Sequence, residues 1–141
     1  MLGVMKVPRA TSADLEPMSR VEVRALADDL LAGEPDSVEK AVRFVCTETI
    51  NLWHGRGRAM MCRRMKHITL SREQQGRLVA AILDRLANGT FSQQFKDQLR
   101  LAMHLDSKGT STLAKRVLKS DKEHVRRFAA WVLSHEAVHD A

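Results

Sequence analysis

The signal that most restricts this chain is a helix start that keeps recurring. Five capping boxes, each a short polar residue followed three positions later by Glu or Gln, punctuate it: Ser19–Glu22, Asp36–Glu39, Ser71–Gln74, Thr90–Gln93 and Ser120–Glu123. In such a box the first side chain accepts a bond from the third helical N–H. The Glu or Gln reaches back to the cap's own N–H, so two orphan donors are satisfied together. Weaker breaks near Gly55 and Ser107–Gly109 divide the two long gaps, which predicts about seven helices of roughly 10–18 residues.

Apolar spacing agrees with the caps. The first helix is expected from about Arg20 to Ala32, with Val23, Leu26, Ala27, Leu30 and Leu31 on one stripe and Gly33 as its left-handed stop. The second, about Ser37 to Trp53, aligns Val38, Ala41, Val42, Val45, Thr49, Leu52 and Trp53. A third follows Gly55 and Gly57 and reaches about His67. The fourth, about Arg72 to Ala87, buries Leu78, Val79, Ile82, Leu83 and Leu86 before Asn88–Gly89 closes it. The fifth runs from about Phe91 to Leu105, the sixth from about Ser111 to Leu118, and the last from about Lys122 to Val138. All follow the 3.6-residue period and none alternates. Aromatics make up only 4% of the chain and Tyr is absent, which also argues against a sheet. The fold class is all-α.

At 141 residues one domain is expected. Residues 1–18, with Pro8 and Pro17, read as a flexible arm, and residues 19–141 as a single helical domain. Met1 to Lys6 lacks the apolar stretch of a secretory signal, and no window approaches the roughly 18 apolar residues of a membrane span. Two cysteines do not make a disulfide framework. A reduced, cytoplasmic protein with no membrane contact and no cofactor is the expectation.

Short loops between similar helices make neighbours antiparallel. The stretch Asp121, Val125, Arg126, Ala129, Val132, Leu133 resembles the second helix of a HEAT repeat, with an acidic cap, a Val-Arg pair and a downstream Ala. Phe95–Leu105 and Gly57–His67 are weaker echoes. The resemblance implies a HEAT-like α–α superhelix; a compact helical bundle without repeats is the rival arrangement.

Two constellations carry metal chemistry on paper. His135-Glu136-Ala137-Val138-His139 matches H-E-x-x-H, in which two His one turn apart hold zinc and the Glu acts as base. With six His in the chain the pattern arises readily by chance, and His near a helix C-terminus already interacts well with the dipole. The motif is therefore read as fortuitous, leaving a metal-dependent hydrolase as a remote alternative. Cys46, His54, Cys62 and His67 lack the short paired spacing of zinc sites, so both cysteines read as small buried hydrophobes.

Charge is the better lead. The net charge is +6, yet Asp14 to Glu48 carries nine acids against four bases. From Arg56 to Arg77 seven bases oppose Glu73 alone, and from Lys108 to Arg127 seven more oppose Asp121 and Glu123. Wound at 100° per residue, Arg56, Arg63 and His67 align, flanked by Arg64 and Lys66, with Met61, Cys62 and Met65 opposite. Arg58 joins these cations as a candidate, and Gly55 and Gly57 leave backbone N–H groups open nearby. Lys115, Arg116 and Lys119 form a similar face on the sixth helix. Planar guanidinium groups suit phosphates and carboxylates, although a solvated face is the plain account of such runs. The expected function is a non-enzymatic interaction domain presenting these cations to an acidic protein partner. Phosphate-backbone contact with nucleic acid is the alternative, disfavoured by the missing stacking aromatics. Trp131, off the inward stripe of its helix, is placed to meet a neighbouring layer or a second copy in a homo-oligomer.

Overall fold

A computed structural model describes residues 12–91 and 94–140, with the side chains of residue 12 and residues 136–140 outside it. Among the described residues the fold is all-helical. In chain order the elements are α1 (Ser12–Leu15), α2 (Arg20–Asp29) with a 3-10 turn at Leu30–Ala32, α3 (Pro35–Cys46) and α4 (His54–Met65). They continue with α5 (Arg72–Asn88), α6 (Phe95–Leu105), α7 (Ser107–Val117) and α8 (Glu123–Asp140). No described helix is long and apolar enough to cross a membrane.

Two of the expected caps form as complete boxes. Ser19 and Glu22, and likewise Ser71 and Gln74, exchange both bonds at 2.8–3.1 Å. Gly33 and Gly89 hold the left-handed positions that end the turn after α2 and α5, at φ 70° and 73°. Asp36 does not cap α3. Glu34 does, accepting from Asp36 N–H and Ser37 N–H, because Pro35 occupies the first helical position and leaves Asp36 inside the first turn. Ser120 accepts from Lys122 N–H rather than from Glu123. α7 begins four residues earlier than expected, since the Asp106 carboxylate takes the Gly109 N–H at its start. The Thr90–Gln93 box lies partly outside the described residues.

The largest correction is the end of the second expected helix. α3 stops at Cys46, and Thr47 is extended at φ −101°, ψ 140°. Thr47, Thr49 and Ile50 are β-branched and resist helical packing. Thr49 also has stronger partners outside the helix, described below. Leu52 and Trp53 fall on the apolar stripe by spacing yet belong to a loop. The arm is corrected as well, because its last part folds into the domain. Leu15 and Met18 are in the core, Asp14 pairs with Arg43, and the Glu16 carboxylate accepts from Ile50 N–H and Asn51 N–H at 2.9 Å each. Residues 1–11 lie outside the described residues.

The helices lie in two rows. α2 packs on α4 and α4 on α6, while α3 packs on α5 and α5 on α7; α8 closes the second row against α7 and α5. A continuous apolar core joins them, including Val23, Phe44, Met61, Ile82, Phe95, Leu99 and Val125. Within the first row, α4 and α2 approach most closely at Gly57 and Val23. A Cβ on Gly57 would stand 2.4 Å from Val23 Cγ1, so this glycine is a contact between helices and not an opened anion site. Its N–H is already spent on Trp53 C=O at 3.1 Å.

Gly57→Ala therefore destabilises the fold despite alanine's better helix propensity. The collision with a rigid β-branched side chain costs about 1–3 kcal/mol, against a propensity gain of about 1 kcal/mol. Urea denaturation checks this, and Val23→Ala in the same chain should remove most of the added cost. A Gly57→Ala protein more stable than the parent would contradict the close approach.

Candidate functional site

The cations expected to form one open face on α4 meet three different fates. Arg58 is in the interior, 9% exposed, with Nη1 donating to Thr49 Oγ1 at 2.8 Å and its guanidinium 5.7 Å from the centre of the Phe44 ring. Burial, followed by the nearby Arg85 charge, lowers its pKa from the ordinary arginine value. It is buried and leaves the expected surface set. Arg63 pairs with Asp97 of α6 and Arg64 with Asp28 of α2, both at 2.7 Å. Such half-exposed pairs contribute only tenths of a kcal/mol, on the order usual for surface ion pairs, but they neutralise the field a phosphate would meet. Arg56, Lys66 and His67 have no charged partner among the described residues. Lys115 and Arg116 on α7 and Lys119 in the turn after it are all exposed, and none has a charged partner among the described residues.

These two basic faces do not adjoin. α6 stands between α4 and α7, packing against both. Its outward positions, Lys96, Arg100 and His104, are basic at four-residue spacing, a stripe that reading α6 only for its core overlooks. Arg100 shares Asp97 with Arg63, and the cationic ends of Lys96 and Arg100 lie 5.3 and 5.2 Å from the Trp131 ring of α8. Trp131 thus meets α6 cations of its own chain.

The loop between α3 and α4 is the unexpected feature. Ile50 is 90% exposed and Leu52 100% exposed. Exposed aliphatic side chains are ordinary on mobile loops, but this loop is pinned at every step. The Glu16 carboxylate holds the amides of Ile50 and Asn51; Asn51 Oδ1 accepts from Trp53 N–H at 3.1 Å. His54, fully buried, stands 2.7 Å from Thr49 Oγ1 through Nδ1 and 2.9 Å from Met18 C=O through Nε2. The Arg20 guanidinium covers the Trp53 ring at 5.2 Å, and Val21 beside it is also exposed. Ile50 and Leu52 thus project from a hydrogen-bonded loop with Arg20 over its Trp53, and the exposed Arg56 follows in the first turn of α4. The β-branched residues Thr47, Thr49 and Ile50 were the available sequence signal that the helix ends here.

Neither metal constellation assembles among the described residues. Cys62 is buried in the core, Cys46 Sγ donates weakly to Arg77 C=O, His54 is saturated and His67 is exposed. Burial pushes the Cys46 thiol up to about 11 and raises Cys62 as well, so little reactive thiolate forms near neutrality. His135 faces Trp131, with Nδ1 3.1 Å from the Trp131 C=O, and the His139 side chain lies outside the described residues. No group of three His, Cys, Asp or Glu is placed to hold a metal among the described residues.

Compared with models of known protein families, with characterised proteins and with solved structures, the chain matches none.

Proposed function

We propose that this chain is a non-enzymatic helical interaction module whose α3–α4 loop docks an acidic protein partner. The observation that carries this reading is the pairing of full exposure with rigid support at Ile50 and Leu52. A preorganised loop loses little entropy on binding, so apolar side chains presented in this way act as anchors. A protein site combines an apolar patch with charge beside it, and here Arg20 and Arg56 supply that charge. Their sign selects an acidic surface around an apolar receptor groove. The alternating packing of α2 to α7 supports a HEAT-like superhelix, which is part of the proposal.

Fluorescence anisotropy with three probes tests the reading: an acidic amphipathic peptide, a polyglutamate peptide and a short DNA duplex. The amphipathic peptide should bind most tightly, and Ile50→Ser with Leu52→Ser should abolish most of that binding. Stability should change by less than about 0.5 kcal/mol, because surface substitutions that break no contact rarely do more. Tightest binding to the duplex, unaffected by the double serine change, would refute docking at the loop. One observation favours the second reading, nucleic-acid backbone contact: Lys115 and Arg116 on α7 and Lys119 just after it are exposed and have no charged partner among the described residues. In that case charge removal on α7 lowers duplex binding, whereas the paired Arg63 and Arg64 contribute little.

A further inference from the structure

Two guanidinium groups share the inner lobe of one cleft with a single carboxylate. The cleft lies between the α3–α4 loop, α5 and α6, and about 270 Å³ of it is bordered by Glu48, Gly55, Arg58, Arg85, Phe91 and Gln98. An outer lobe continues past Glu48 and Arg85 toward Cys46 and Asp84. Arg85 is 5% exposed. Its Nε pairs with Glu48 and its Nη1 donates to Gln98 Oε1 at 2.8 Å, while the enclosed Nη2 has no acceptor among the described residues.

The unused donor is on the informative side of the group. Nε and Nη2 form the edge that a carboxylate or phosphate grips with two parallel bonds. Glu48 uses half of that edge, and its side chain is 68% exposed. The inner lobe thus holds two buried cations against one largely solvated anion. Excess positive charge at low dielectric is costly unless an anion offsets it. Gly55, also on the border, belongs to the first turn of α4, which has no side-chain cap and directs its dipole's positive end the same way.

We propose that this cleft binds a phosphate group, free or as the monoester head of a small molecule, which displaces Glu48 from Arg85. The phosphate takes the Nε–Nη2 edge of Arg85 and faces Arg58, and Phe91 forms an apolar wall for an ester substituent. A dianion fits better than a carboxylate, because its second charge faces Arg58, whose Nη atoms already donate to Thr47 and Thr49, while two of its oxygens take the Arg85 edge. The site borders the docking loop through Glu48 but uses neither Ile50 nor Leu52, so the two proposals are tested by different variants.

Thermal unfolding and titration calorimetry on the full chain test it, using inorganic phosphate and phenyl phosphate against sodium chloride at matched ionic strength. Both phosphates should bind one to one and raise the unfolding midpoint above the chloride control. Tighter binding of the phenyl ester marks a small-molecule head group, and tighter binding of inorganic phosphate marks the free ion. Arg58→Gln should weaken binding at least tenfold. Because Arg58 is buried and its loss can unfold the protein, Glu48→Gln is the second variant. It removes the competing carboxylate at an exposed position and should tighten phosphate several-fold. A midpoint that follows ionic strength alone overturns the proposal, and so does a Glu48→Gln protein that binds phosphate no more tightly than the parent.

Discussion

Truncating Phe44 to alanine should lower the unfolding free energy by about 3–5 kcal/mol, the range for deleting a fully buried ring that its surroundings cannot collapse to fill. Phe44 is 0% exposed and sits where α3, α4 and the loop between them meet. The His54 ring lies 4.8 Å away, centre to centre, and the Arg58 guanidinium rests over its face. Its far edge reaches within 3.5 Å of where a Gly57 Cβ would stand. Cavity relaxation is limited because two of these neighbours are anchored by hydrogen bonds and the third is backbone. Urea denaturation monitored by circular dichroism gives the value, and Phe44→Leu should lose clearly less than Phe44→Ala. A loss below about 1 kcal/mol, typical of sites outside a packed core, would show that this ring does not hold the α3–α4 junction together.

The same junction marks how far the sequence could be read. Among the local caps, Ser19, Ser71, Gly33 and Gly89 took the places their chemistry dictates, whereas Asp36 and Ser120 did not form their boxes. Stripes were legible too, because Val23, Leu78, Leu99 and Val125 meet the core at the expected spacing. The larger failures depended on partners far along the chain. The α3 stripe continues through Leu52 by period alone. The helix nevertheless ends at Cys46, because Glu16, Arg58 and His54 give the backbone and Thr49 better partners. Angular position placed Arg63 and Arg64 toward solvent, and they do point away from Met61 and Met65. No angular argument could show that Asp97 and Asp28 wait beside them, 34 and 36 positions away. Arg58 was misplaced for the opposite reason. A guanidinium on a basic helix reads as solvated until the fold supplies a threonine hydroxyl and an aromatic face. Arg85, on the last turn of an otherwise ordinary amphipathic helix, gave no sequence signal of its burial.

Thr49→Val should cost about 2–4 kcal/mol, since each buried polar group left without a partner loses roughly 1–3 kcal/mol and a charged one more. Thr49 is a buried relay with one proton to give. Arg58 Nη1 can only donate, so the Thr49 oxygen accepts from it at 2.8 Å. The hydroxyl hydrogen then goes to His54 Nδ1, 2.7 Å away. His54 must therefore carry its own hydrogen on Nε2, where the Met18 carbonyl accepts it at 2.9 Å. One chain of donors thus runs from α4 through the loop to the segment before α2. Valine keeps the shape but leaves Arg58 short of an acceptor and His54 Nδ1 short of a donor. Its extra methyl returns only about 0.8 kcal/mol of apolar burial. Thr49→Ser keeps the hydroxyl and loses one methyl, so it should cost no more than about 1.5 kcal/mol. Hydrogen exchange separates a local from a global effect. In the valine variant the amides of Ile50 and Asn51, held by Glu16, should exchange faster at conditions where the rest of the protein remains folded. A valine variant as stable as the serine variant, with unchanged exchange at these two amides, would mean that the relay does not fix the loop. Ile50 and Leu52 would then owe their presentation to Glu16 alone.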